Sequence, residues 1–157
     1  MGEYTILMII IILLQKLYKE ISMNKLYKMT AKEFEKSKIL YKYNDVKYVV
    51  MDGKGIRSYE EYFDKLWEVF GFDELPNGWK KDYHSEYDFM TDDYELKEKK
   101  YVFVIKNYNE LFKNNQTEKE NLEDTYKNYL LPFWDEEVER TVVGGKRKDF
   151  DIYLVSA

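Results

Sequence analysis

The chain has 157 residues, with 25 Lys+Arg against 30 Asp+Glu, one His, no Cys and a formal charge of −5. That length suits one domain with a real core. The lack of Cys excludes disulfides, a thiolate nucleophile and Cys-ligated zinc, and a single His excludes a multi-His metal site.

The charge is unevenly placed. Between Asp73 and Glu95, eight acids (Asp73, Glu74, Asp82, Glu86, Asp88, Asp92, Asp93, Glu95) stand against only Lys80 and Lys81. A small domain that gathers its net charge in one stretch is suited to a cationic partner. Non-specific nucleic-acid binding is disfavoured, because phosphate contacts need clustered Lys and Arg. A disulfide-free globular chain fits the cytosol.

Residues 1–22 read as an extension outside the domain. Ile6 to Leu14 is an unbroken apolar run of nine. A membrane-spanning helix needs about 20 such residues, so no stable membrane insertion is expected. The run has the length of a signal-peptide core, yet Met1-Gly2-Glu3-Tyr4 carries no basic side chain and no small-x-small cleavage site follows. Lys19-Glu20-Ile21-Ser22-Met23 can be back-translated as a purine-rich ribosome-binding sequence spaced correctly before a start codon, so a start at Met23 competes with one at Met1.

Residues 23–47 read as a helical lead-in. Thr30-Ala31-Lys32-Glu33 fits a capping box opening a helix over Ala31–Tyr41, with Phe34 and Ile39 or Leu40 inward. Residues 48–157 form the main domain. Tyr48 to Met51 is a short strand stopped by Asp52-Gly53. Ser58-Tyr59-Glu60-Glu61 is a second capping box. Behind it Tyr59, Tyr62, Phe63, Leu66 and Phe70 share one helical face, and Gly71 stands where a terminating glycine belongs, which predicts a helix over Tyr59–Phe70.

A further helix is predicted over Trp79–Asp92. At 100° per residue it turns Trp79, Tyr83 and Met90 toward the core, and gathers His84, Asp88 and Thr91 on another face flanked by Tyr87 and Asp92. Tyr101 to Ile105 is a strand with the continuous apolar pattern of one buried on both faces. Asn107 to Asn115 is a loop. Thr117-Glu118-Lys119-Glu120 fits a third capping box, starting a helix to about Leu130 with Leu122, Tyr126, Tyr129 and Leu130 as its stripe. Pro132 is expected to interrupt it. Phe150 to Val155 is a closing strand, with Val142 to Gly145 as a candidate hairpin arm before it. Strands separated by helices imply an α/β fold with a small parallel sheet and right-handed crossovers.

With these elements in place, the stretch from Val49 to Val155 resembles the barstar family of intracellular ribonuclease inhibitors. The residues that carry the resemblance are Met51-Asp52-Gly53-Lys54-Gly55-Ile56-Arg57-Ser58, the helix to Phe70, Phe72 with its acidic loop, Tyr87-Asp88-Phe89-Met90-Thr91, the strand Val102–Ile105 and the closing strand from Phe150. The resemblance implies a three-stranded parallel sheet flanked by helices. It implies no enzymatic activity and no cofactor, and a monomer that plugs the active site of a barnase-like bacterial ribonuclease.

In that family an aspartate on the second helix stands in for the RNA phosphate. Asp88 matches it, with Tyr87 at the aromatic position before it and Thr91 at a threonine one turn on. The chain departs from the pattern in places. Asp82 lies nearest the usual asparagine, His84 replaces a second contacting acid, and Glu86 stands where an apolar core residue is expected. About three extra residues lie between Phe72 and Asp88, and an insertion spans Pro132–Lys148. A family acid near the last helix falls at Glu137 or Glu139.

The candidate partner-binding residues are therefore Asp88, Tyr87, His84, Thr91, Asp92, Asp82 and Trp79. Trp79 and Tyr83 also have a core reading, and the outer acids also read as an ordinary solvated face. The His84–Asp88 pair at i, i+4 has base-and-orienter spacing, but Ser85 points about 100° away and supplies no nucleophile. Neither catalysis nor a metal site from His84, Asp88 and Asp92 is assigned. Gly144-Gly145-Lys146-Arg147 reads as a turn and not as a phosphate loop. The alternatives to a ribonuclease inhibitor are an immunity protein against another toxin nuclease and an adaptor that binds a basic protein.

Overall fold

A computed structural model describes residues 2–157, with the side chains of residues 19–22 left out. Met1, one of the two candidate starts, lies outside the described residues. The chain is an α/β fold with a four-stranded, wholly parallel sheet in the order β1-β4-β3-β2. The strands are β1 (Leu26–Thr30), β2 (Lys47–Asp52), β3 (Lys100–Lys106) and β4 (Asp149–Ser156). The helices are α1 (Glu3–Ser22), α2 (Ala31–Ser37), α3 (Tyr59–Phe70), α4 (Tyr83–Met90), α5 (Gln116–Asp124) and α6 (Val138–Thr141).

The expected sheet of three strands gains β1 from the segment read as a helical lead-in. Leu26 to Thr30 pair in register with Ile152 to Ser156. The pattern Leu-Tyr-Lys-Met-Thr alternates apolar and polar residues only partly, as an edge strand can, so its period alone does not specify a strand. What fixes β1 is Asn24. Its Nδ2 donates to the Lys148 carbonyl (2.8 Å) and its Oδ1 accepts from the Phe150 N–H (2.9 Å), pinning the strand's entry beside β4.

The two sheet faces are covered unequally. One carries Val49, Met51, Phe103, Ile105, Ile152 and Leu154 against α3, α4 and the α5–α6 arm. The other carries Val104, Tyr153 and Val155 under Phe34 of the short α2. This explains why β3 reads as a continuous apolar run, since both faces of it are needed inside. Gly53 closes β2 where the chain passes close to the next loop. A Cβ there would sit 3.0 Å from the Asn107 carbonyl oxygen and 3.1 Å from the Leu111 Cβ.

α3 has the expected bounds, with Ser58 accepting from the Glu61 N–H and Gly71 left-handed at φ 69°. The Glu61 carboxylate accepts from the Arg57 N–H (2.8 Å). α2 has a complete capping box at Thr30 and Glu33, but stops at Ser37 because Lys38 turns left-handed. The cap of α5 is Asn115, which accepts from the Glu118 N–H (3.0 Å), so the Thr117 box is not the one used.

Pro132 does not end the following helix. Leu131 (φ −64°, ψ −44°) and Pro132 (φ −61°, ψ −32°) both stay helical. The chain accommodates the proline by widening. Thr125–Leu130 and Phe133–Glu137 are π-helical, with the Leu131 N–H bonded to the Tyr126 carbonyl and the Val138 N–H to that of Phe133. A proline ring needs such room because it clashes with the carbonyl four residues back. The widening also shifts the buried stripe. Leu122, Tyr126, Leu130 and Leu131 are inside, while Tyr129 is 57% exposed. Val142 to Gly145 form a turn and not a hairpin arm. β4 already has parallel neighbours on both edges, which leaves no place for an antiparallel arm.

In α1 every residue from Ile6 to Leu14 is exposed. Among the described residues no helix is long and apolar enough to cross a membrane.

Candidate partner-binding site

The candidate site is built on α4, which is shorter than expected. Asp82 is its N-cap, accepting from the Ser85 N–H at 2.9 Å. Trp79 to Lys81 therefore lie outside the helix, and helical spacing does not govern them. This corrects the inward placement of Trp79. Its ring lies 6.0 Å from that of Phe89, edge to face, yet the residue is 44% exposed. Tyr83 does pack on the core, and its hydroxyl donates to Glu118 Oε1 (2.9 Å). Met90 is buried.

Trp79, Lys80, Asp82, His84, Ser85 and Asp88 line one open depression of about 390 Å³. The Asp88 side chain is 38% exposed, and His84 Nε2 lies 3.8 Å from its Oδ2, an ion pair only when the imidazole is protonated. Tyr87 is half-buried, with its ring 6.2 Å from that of Phe133, edge to face. Burial pushes the Tyr87 phenol up, and the carboxylates of Glu137 and Asp88 push it the same way. Of the two acids the sequence left open, Glu137 is thus the one beside the α4 face. Glu139 lines a separate depression with Met23 and Arg147.

The other predicted residues serve the backbone. Thr91 Oγ1 donates to the Tyr87 carbonyl (2.7 Å), and Asp92 Oδ1 accepts from the Tyr94 N–H (2.8 Å). Both sit at the C-terminal end of α4, away from the depression. His84, Asp88 and Asp92 form no metal site: among the described residues no group of three such side chains is placed to hold an ion.

The acidic stretch is not one continuous charged surface. Asp93 pairs with the buried Lys148 (2.8 Å), Glu95 accepts from the Asp73 N–H, and Lys81 pairs with Asp64 of α3 (2.7 Å). Glu86 is 1% exposed, so it belongs to neither a steering set nor a solvated face. It occupies the core position that the helix register assigns it, so the register holds and the side chain is the exception. Tyr59 and Tyr62 of α3 both donate hydroxyl hydrogen bonds to its carboxyl. Burial pushes the Glu86 acid up to about 7, against the pull of those two donors.

Two features of this site were not legible in the sequence. One is the tyrosine cradle around Glu86. The other is Trp134, whose Nε1–H donates to the Met90 carbonyl (2.9 Å) and so holds the C-terminal end of α4. Both depend on contacts between residues far apart in the chain.

The fold and site together define an α/β protein that displays a short acid-bearing helix beside a parallel sheet. The chain matches no family model, no curated protein and no solved structure.

Proposed function

We propose that this protein is a non-enzymatic, barstar-like inhibitor that occludes the basic active-site cleft of a bacterial ribonuclease, with Asp88 standing in for substrate phosphate. One observation carries the reading. Asp88 is a partly buried carboxylate on the outward face of α4, beside Tyr87 and Glu137, and its ion-pair partner among the described residues is a single His. A cluster of Arg or Lys on a partner would supply the missing countercharge. Complementary fields would also speed the encounter.

Aromatic side chains beside the anchor suit such an interface, because Tyr and Trp concentrate binding energy. Tyr87 and the exposed Trp79 are placed for this. Asp82 acts first as the cap that starts α4, and Thr91 and Asp92 shape its end. The inhibitor works in the cytoplasm as a monomer, needs no cofactor and binds no nucleic acid.

The test is inhibition of any nuclease encoded beside this gene by the full chain, with Asp88→Ala as the comparison. The variant is expected to lose roughly 2–5 kcal/mol of binding, mostly by stranding partner cations, a range drawn from interfacial charge pairs that include barnase–barstar itself. Unchanged affinity removes Asp88 from the interface. Failure to inhibit any neighbouring nuclease overturns the inhibitor reading.

A further inference from the structure

Glu86 faces inward from α4, and its surroundings are those of a proton-binding site. Tyr59 and Tyr62 of α3 donate to its two oxygens, and the Tyr62 hydroxyl is in turn hydrogen-bonded to that of Tyr126 on the π-helical segment. The remaining titratable groups around the cluster are Tyr83 on α4 itself, bonded to Glu118, and Tyr108, bonded to Glu123. Among the described residues, no Lys, Arg or His is one of the groups that act on Glu86. A carboxylate in such a place has lost its water and gained no countercharge, which is costly, whereas a protonated acid is neutral and is readily hydrogen-bonded. The hydroxyl chain serves both states, since each Tyr OH can donate or accept.

We propose that Glu86 is a protonation latch on α4: with its proton it locks the helix against α3 and the π-helical segment, and on losing it the helix loosens. The latch acts on the element that carries Tyr87 and Asp88, so it sets how rigidly that face is presented. It holds whatever the partner of that face is.

The sign follows from linkage. The acid binds its proton more tightly in the folded state (about 7) than in the open one (4.5). The contribution of Glu86 to the closed state of α4 is therefore greatest below 4.5, falls as pH rises from 4.5 to about 7, and is flat above. For a group raised this far, the closed state of α4 weakens by roughly one to two orders of magnitude between pH 5 and pH 8.

The experiment is amide exchange of the isolated full chain over that range, corrected for the intrinsic rate. It is read at Glu86 to Met90 and compared with Glu86→Gln, which keeps an acceptor but cannot ionise. The Glu86 side-chain carboxyl is also followed directly by ¹³C NMR. Protection of α4 is expected to fall with pH in the native protein and to stay level in Glu86→Gln, and the carboxyl signal to titrate well above the ordinary glutamate range. A carboxyl that titrates near 4.5, or an equal pH slope in the Gln variant, overturns the latch. The NMR titration of the native protein separates these outcomes even if the Gln variant does not fold. No partner is added, so failure here leaves the inhibitor reading intact.

Discussion

Replacing Trp134 by Phe tests how the second half of the chain supports α4. Trp134 is fully buried, edge-on to Phe133 at 4.8 Å, with Lys148 Nζ 4.9 Å from its ring centroid. Its Nε1–H donates to the Met90 carbonyl. That carbonyl lies in the last turn of an eight-residue helix, where no intrahelical donor is available. Phe removes the donor and leaves a buried acceptor unpaired, which costs about 1–3 kcal/mol. The missing part of the indole opens a void of roughly 40 Å³, worth about 1 kcal/mol at roughly 24 cal/mol per Å³.

The expected loss is therefore about 2–4 kcal/mol. It should appear as a fall of about 1–2 M in the urea midpoint. Far-UV circular dichroism is the right probe, because the substitution alters the fluorescence itself. A loss below about 1 kcal/mol would mean that water or another donor reaches Met90, and that Trp134 does not hold α4.

Gly145→Ala should destabilise by about 1–3 kcal/mol or more, because the new Cβ would lie 2.2 Å from the Val138 carbonyl oxygen. At neighbouring Gly144 the space is open and only the positive φ of 70° is at stake, so Gly144→Asn should be nearly silent. Equal thermal midpoints for the two variants would refute the close-approach argument. Asn24→Ala strands the Lys148 carbonyl and the Phe150 N–H and should cost about 2–4 kcal/mol. Exchange protection along β1 should drop before that along β3, and intact protection of β1 would show that Asn24 does not anchor it.

The sequence by itself determined the α/β class, the bounds of α3, the places of β2, β3 and β4, and the position of Asp88 on a helix. These are local facts: a period, a cap, a glycine at a helix end. Only the tertiary structure decided the rest. β1 became a strand through hydrogen bonds to residues far along the chain. Trp79 turned outward because Asp82, and not an earlier residue, caps α4. Pro132 stayed inside a helix because π-helical turns made room for it.

Glu86 shows the physical reason most clearly. Its place on α4 could be read as a core position, and its chemistry as that of a surface residue. Which one prevailed depended on two hydroxyls from α3 and a third tyrosine well downstream. The buried state of an acid is set by what surrounds it, and those surroundings exist only once the chain has folded.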